Sequence, residues 1–461
     1  MFIKEVYIQR RKELRMHMKN GVVLFLGNND TPMNYPGNTY HFRQDSTFLY
    51  YFGLDFPGLA ATIDLESGEE IIYGNDFDID DIIWMGPQES IQHQAAKVGV
   101  AKTKPGVALD DFIAKTHKQK RILHFLPPYR ADNKIKLHQL THISFDNLKY
   151  ASVELIKTVV KQRSIKDDFE IAEIERFMEV GYLMHTTAMK MAKPGVVEQE
   201  IAGAIEGIAL SCGGVVSFPV ILSKRGETLH NHSHNNLLKK GDLLLIDAGA
   251  ESPLHYATDH TRVAPVGGKF SEKQKDIYEI VLKANMDAIK AIQPGVPYKE
   301  IHLLAAKVIA EGLKDLGIMK GNTEDAVANG AHAMFFPHGL GHMMGLDVHD
   351  MEDLGEDYVG YDEEVSRSNQ FGTAYLRLAR KLQPGFVLTV EPGIYFIPEL
   401  IQQWKSEDRF NDYINYQKAI EYIGFGGVRI EDDVLVTPDG YKVFGKPIPK
   451  TVADVEEMMN L

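Results

Sequence analysis

Three histidines, His338, His342 and His349, fall within FFPHGLGHMMGLDVHD at positions 335–350, surrounded by small and apolar residues. Buried imidazole is costly unless its nitrogens are hydrogen-bonded or hold a metal. A lone core histidine usually bonds a backbone carbonyl, so the stretch by itself leaves both readings open. Carboxylates recur in comparable settings. Asp247 ends the apolar run GDLLLIDAG, Asp259 stands in ATDHTR, Glu391 interrupts FVLTVEPGIYF and Glu431 interrupts GVRIEDDVLVT. One buried carboxylate is ordinarily matched by a cap or a cation, and Arg262 and Arg429 could serve. Four together repel one another unless cations neutralise them. With one imidazole they form a hard, oxygen-rich donor set that suits a pair of Mn2+, Co2+ or Zn2+ ions.

The elements that must carry these residues read as an α/β protein. Up to Lys161, short apolar runs such as GVVLFLG and EEIIYG alternate with helical stretches such as YIQRRKELRMHM. At RSIKDDFEIAEIERFMEVGYLMHTTAMKMAKPG the character changes. Ser164 followed by Asp167 reads as a capping-box start and Pro194-Gly195 as a stop, with about seven helical turns between. The domain boundary is expected at 162–166, separating an N-terminal α/β domain (1–161) from a second domain (166–461). Within the latter, KPGVVEQEIAGAIEGIA and QPGVPYKEIHLLAAKVIA align at an offset of 100 residues, pairing Pro194 with Pro294 and Gly195 with Gly295. Two such copies imply two similar halves with a site where they meet. In the strand GVRIEDDVLVT, alternation puts Arg429, Glu431 and Asp433 on one face, with Val428 and Ile430 on the other.

Composition narrows the function classes. The 461 residues are 44% hydrophobic and 25% charged with net charge −14, and no Lys/Arg-rich block appears, so neither nucleic acid nor an anionic membrane is an expected partner. Cys212 is the only cysteine, which rules out an intrachain disulfide and a thiolate metal site and fits a reducing cytosol. The N-terminus is amphipathic and lacks a signal-peptide core, and nowhere do 18 apolar residues run together; a cytoplasmic location is expected. There is no G-x-S-x-G elbow, H-E-x-x-H helix or G-x-x-x-x-G-K-[ST] loop.

Spacing alone does not assemble five residues scattered over almost 190 positions. From IDAGAE through DHTR, HGLGHMMGLDVHD, TVEPGIYF and GGVRIEDD, however, the chain resembles the aminopeptidase P/prolidase family of pita-bread metallopeptidases, family M24. FRQDSTFLYYFGLDFPG resembles that family's creatinase-type N-terminal domain, so the likeness spans nearly the whole chain. The resemblance implies a pita-bread α+β catalytic domain with pseudo-twofold halves and a dinuclear centre. Asp247 would chelate one ion, His342 with Glu391 the other, and Asp259 and Glu431 would bridge both. Asp247 and Asp259 are twelve apart where the family commonly has eleven, and the extra residue is expected in the turn ESPLHY.

The same resemblance implies hydrolysis of the bond preceding proline, whose imide has no N–H and a fixed φ. His338 and His349 would face substrate, as would His230, with His232 and His234 as neighbouring alternatives. Glu391 would double as a proton shuttle. Arg377 would pair with a substrate carboxylate, Arg429 would hold ligand carboxylates, and Phe335 or Tyr395 are candidates for a wall against the proline ring. Manganese is the expected metal, proline-containing peptides or dipeptides the expected substrates, and a dimer or tetramer the expected assembly. Aminopeptidase and dipeptidase activity both stay open. A metal-free creatinase-like hydrolase and a non-catalytic peptide-binding protein on this fold are disfavoured by the intact five-residue set.

Overall fold

The computed structural model describes residues 1–148 and 151–460, which divide into two compact units: Met1–Arg163 with Glu352–Tyr358, and Ser164–Met351 with Val359–Leu461. The first unit is built on a five-stranded mixed sheet in the order Lys102–Lys104, Glu70–Tyr73, Ala60–Asp64, Val22–Leu26, Leu123–His124. Its three inner strands are antiparallel and each edge strand joins in parallel. The near-continuous apolar run Val22–Leu26 follows from its place inside the sheet, where both faces are covered. In FRQDSTFLYYFG, Asp45 caps the fully buried helix Ser46–Phe52 by accepting the Phe48 N–H at 2.8 Å, and Gly53 ends it at φ +59°.

The second unit begins with the long helix Asp168–Met191. Its capping box is made by Asp167 and Glu170, whereas Ser164, expected to open it, is the last residue of the preceding helix Val153–Ser164. At 24 residues and 3.6 per turn the helix approaches the seven turns anticipated.

The internal echo is structural. Helices Glu198–Ser211 and Tyr298–Asp315 each follow a long helix and a Pro-Gly turn. In the first copy Gly195 N–H donates to Leu238 O and Leu238 N–H to Val196 O; in the second Gly295 donates to Leu382 O and Leu382 to Val296 O. Counting nine positions on from Leu238 gives Asp247, and nine on from Leu382 gives Glu391. Each half thus delivers a carboxylate at the same point of its strand.

Those strands are short and thoroughly buried. Leu243–Ala248 lies between Ile221–Ser223 and His260–Pro265, and Asp432–Thr437 lies between Val387–Val390 and Gly440–Val443. Fully buried residues such as Leu244, Ile246, Val387 and Val434 contribute about 1.5–3 kcal/mol each through burial. GVRIEDDVLVT is two strands rather than one: Gly427–Arg429 pairs with Gly393–Tyr395, and the chain changes sheet at Ile430-Glu431 before Asp432. FVLTVEPGIYF breaks similarly at Glu391-Pro392. Glu391 and Glu431 therefore sit at strand breaks, where a side chain can leave the ladder without disrupting it.

Candidate metal centre

The first half contributes a hairpin. Asp247 pairs with Thr261 across antiparallel strands, and the chain returns through Ala250–Glu251 and a turn at Ser252–His255. The turn includes left-handed backbone at His255, φ +67°, whose Nδ1 lies 2.6 Å from Glu251 Oε1. Asp259 is tethered from behind, its N–H donating to Asp433 Oδ2 at 2.9 Å. Thr261 Oγ1 donates to Glu431 Oε2 at 2.7 Å while accepting from Arg429 Nε at 3.0 Å, so one hydroxyl links the hairpin to the second half.

The second half brings His342 against Glu391. Thr389 N–H donates to His342 O at 3.0 Å, His342 N–H to Thr389 Oγ1 at 3.1 Å, and Glu391 N–H to Leu340 O at 2.8 Å. This close backbone contact explains one glycine of the histidine-rich stretch: a Cβ on Gly341 would stand 2.0 Å from Thr389 O. His342 Nδ1 donates to Met343 O at 3.0 Å, which leaves the Nε2 lone pair directed at carboxylates. That nitrogen is 3.5 Å from Asp259 Oδ2 and 3.6 Å from Glu391 Oε1. A lone pair facing two carboxylates is repulsive until a cation lies between them. Ligand atoms of Asp259, His342 and Glu431 all lie within 4.8 Å of one another.

Electrostatics point the same way. Burial, then the charges of Asp247, Asp433 and Glu391, hold the Asp259 carboxyl well above the usual range; burial, then Asp259, Glu391 and Asp247, does so for Glu431. Burial likewise raises Glu391, against the opposing pull of His342 and Arg429. Two arginines, Arg377 and Arg429, share the cavity wall with them, and Arg429 pairs with Asp247 Oδ2 and donates to Tyr395 OH at 3.0 Å. Asp247 Oδ1 and Asp259 Oδ1 are buried without a hydrogen-bond partner among the described residues. Four acids against two arginines, with buried carboxylate oxygens on Asp247 and Asp259 lacking a hydrogen bond, is the donor set of a divalent cation site.

All five residues line a cavity of about 780 Å3 together with His230, His232, His338, His349, Arg377 and Arg429, Asp247 being in its wall beside Arg429. His234 is turned away, its Nδ1 held by Leu222 O at 2.9 Å. The His349 ring lies 4.3 Å from that of His342. Both ring nitrogens of His338 are occupied within the chain: Nδ1 donates to Gly339 O at 2.8 Å and Nε2 accepts from Tyr395 OH at 2.9 Å. Burial, with Arg429 nearby, pushes its pKa down to about 3, so it is a neutral imidazole.

Two expectations need correcting. Phe335 and Tyr395 do not line the cavity; both are fully buried behind it, Phe335 edge-on to Phe396. The apolar wall consists instead of Phe218, Ile221, Leu229, Phe371, Ile397 and Leu400. Arg262 does not neutralise any of the four candidate acids, because its side chain pairs with Asp432 at 2.7 Å and donates to the backbone carbonyl of Glu431 at 2.6 Å. Residues missed from sequence include Thr261, hidden as an ordinary strand threonine, and Asp433, visible only as sharing a face with Glu431.

Against known families, residues 172–438 match the metallopeptidase family M24 and residues 7–124 match the aminopeptidase P N-terminal domain. The chain belongs to metallopeptidase family M24. This M24 protein is 32% identical over 448 residues to the Xaa-Pro dipeptidase of Homo sapiens, covering 95% of the chain and 88% of that relative. It is 31% identical over 449 residues to a probable Xaa-Pro aminopeptidase of Fusarium vanettenii, covering 96% and 92%. Among solved structures it resembles the Pseudomonas aeruginosa aminopeptidase PepP at 28% identity and a TM-score of 0.81, covering 100% of this chain and 98% of that one. A zinc-substituted Escherichia coli aminopeptidase P in complex with product matches at 26% identity and TM-score 0.81, with the same coverage. The M24 fold here is thus the two-domain aminopeptidase P fold, and the protein is a metal-dependent hydrolase.

Proposed function

We propose that this protein hydrolyses the peptide bond preceding proline near the N-terminus of peptides, using two divalent ions held by Asp247, Asp259, His342, Glu391 and Glu431. The observation that carries the reading is the convergence of these five side chains on one cavity, with donors of Asp259, His342 and Glu431 within 4.8 Å of one another. In this reading Asp259 and Glu431 would be shared between the two ions, Asp247 would help to hold one, and His342 with Glu391 the other. Bound Mn2+, or else Co2+ or Zn2+, would supply Lewis acidity that activates water near neutral pH and polarises the scissile carbonyl.

The chain's own groups do the remainder. Glu391, in the cavity wall 3.6 Å from His342 Nε2, would take a proton from the attacking water and pass it to the leaving imide nitrogen. His349, in the cavity wall beside His342, stands ready to donate to the developing oxyanion, as does His230 from the opposite segment. His338 can donate only when its bond to Tyr395 opens, so it serves first to fix Tyr395 and through it Arg429. Arg429 orients Asp247, and Arg377, which lines the cavity, would bind a substrate carboxylate.

A cavity of about 780 Å3 exceeds the needs of a dipeptide and favours an aminopeptidase on longer peptides. Arg377 in the same wall favours the second reading, an Xaa-Pro dipeptidase, because it offers an end-stop for a free C-terminal carboxylate. The deciding experiment strips the protein of metal, restores Mn2+, Co2+ or Zn2+ singly, and compares Gly-Pro with Gly-Pro-Ala. Faster turnover of the tripeptide supports the aminopeptidase reading, strong preference for Gly-Pro the dipeptidase, and no turnover with any metal refutes both.

No helix among the described residues is long and apolar enough to cross a membrane; we infer a cytoplasmic location from the single cysteine, Cys212, which fits a reducing compartment. We also infer a homo-oligomer, supported by exposed Ile79, Ile83, Trp84 and Met85 on one short helix, which light scattering of the purified protein would test.

A further inference from the structure

Lys166 Nζ lies 2.8 Å from Asp350 Oδ2, and both side chains are 1% exposed. A buried ion pair surrenders hydration that its attraction only partly returns, so an apolar pair of similar volume would serve folding equally well. A buried charge pair at one point of the fold therefore calls for a directional role, and its surroundings supply one. Asp350 directly follows His349. Its N–H donates to Met343 O at 2.9 Å, and its Oδ1 accepts from Asp347 N–H at 3.3 Å, while Gly345 N–H donates to Asp347 O.

These bonds close a loop from Met343 to Met351, with His342 immediately before it and His349 near its end. The exit residue, Met351, is fully buried at φ +64°. A bulky side chain holds left-handed backbone only where its surroundings enforce it. Gly345 shows how closely the pair is fitted: a Cβ there would lie 2.6 Å from Asp350 Oδ2 and 2.7 Å from Lys166 Cε. Lys166 is itself fixed by its N–H donating to Gly385 O at 2.8 Å. The ammonium group thus presses a rigid point of the fold against the loop that carries His349.

We propose that the Lys166–Asp350 pair is a positioning device that holds the 343–351 loop so that His349 stands against His342 in the cavity wall, and thereby governs turnover more than affinity. This rests on the reading of His349 as a substrate-facing donor. Lys166 and Asp350 are positioning residues, acting through His349 without touching substrate.

The test uses the full-length, metal-loaded protein and six variants: Asp350→Asn, Lys166→Met, Gly345→Ala, Lys166→Arg, His349→Ala and the double Asp350→Asn/His349→Ala. The first three are expected to keep their metal content by elemental analysis, to lose about 10- to 100-fold in kcat and to hold KM within about two-fold. Lys166→Arg should recover part of what Lys166→Met loses. The double variant should be no slower than His349→Ala alone, because the two changes act through one group. Multiplying effects, or an unchanged kcat in Asp350→Asn, would overturn the proposal.

A crystal structure of Asp350→Asn gives a readout independent of activity. The 4.3 Å ring separation between His342 and His349 should be lost; its retention would overturn the positioning role even if His349→Ala proved fully active, a result that would separately sink the catalytic reading of His349. Should the single variants fail to fold, Lys166→Met/Asp350→Leu replaces the pair with apolar groups. It is expected to be stable, metal-loaded and slow, and a stable, fast enzyme would refute the claim.

Discussion

Loading metal into this site should expel protons, because the metal-free cluster holds them. Donor atoms of Asp259 and Glu431 lie within 4.8 Å of each other. Two unit negative charges at that distance repel by about 3.5 kcal/mol at an effective dielectric constant of about 20. Burial adds to this, and Arg429 is already committed to Asp247. Accordingly the carboxyls of Asp259 and Glu431 are held well above their ordinary range, and that of Glu391 is raised. Raised in this way, the metal-free cluster holds its last proton to a higher pH than separate carboxyls would. A divalent cation reverses the local potential, so its binding must release that proton. Titration calorimetry of Mn2+ into stripped protein, repeated in buffers of different ionisation enthalpy, reads the proton count as the slope of apparent against buffer enthalpy. The expected slope corresponds to net proton release, larger at pH 6 than at pH 7. Bound metal at about a thousand times its Kd should also add about 4 kcal/mol of stability. Buffer-independent enthalpy at pH 6 would refute the reasoning, since it would mean that the acids were already ionised without a cation.

Other consequences follow from the same geometry. Arg377→Gln should lower kcat/KM for Gly-Pro by about 10- to 100-fold, the worth of one charged hydrogen bond, and affect Gly-Pro-Ala less; equal losses would remove Arg377 from carboxylate binding. Arg262→Met leaves Asp432 with only Lys450 and strips the Glu431 carbonyl of a donor, so chemical denaturation should show a loss of about 3–5 kcal/mol. His302 is buried neutral, with burial and then His332 lowering its pKa from 6.5 to about 3. Because the unfolded chain takes up that proton first, its contribution to stability is complete above pH 6.5 and drains away as pH falls toward 3. Between pH 5.5 and 4, His302→Phe should therefore lose about 1 kcal/mol less per pH unit than the parent protein in urea titrations, and parallel losses would contradict this.

Sequence patterning carried the architecture well and the site only in part. The alternation of apolar runs with helical periodicity showed an α/β protein, and the repeated Pro-Gly segments at 194–195 and 294–295 reappear as matching backbone hydrogen bonds to Leu238 and Leu382. Acidic residues inside apolar strands were visible because burial of charge is costly whatever the fold. What no spacing showed was which of them meet: the strand breaks at Glu391-Pro392 and Ile430-Glu431 depend on pairing with partners far along the chain. The family resemblance supplied that grouping. The helix start was placed three residues early because Ser164 and Asp167 are both good caps, and the preceding helix claims Ser164. Phe335 and Tyr395 looked like pocket walls on hydrophobicity alone, yet which side of a segment faces the cavity is decided by neighbours such as Phe396 and Arg429. The role of Lys166 was illegible, since its partner lies 184 positions away.

On this reading, divalent cations lying between the buried acids are what lets them tolerate one another. Anomalous diffraction at the manganese edge, from crystals of the protein grown with Mn2+, tests it directly. Two peaks are predicted, both contacted by Asp259 and Glu431, one also by Asp247 and the other by His342 and Glu391. No peak, with Asp247 still clasped by Arg429 and the remaining carboxyls hydrogen-bonded among themselves, would contradict the account.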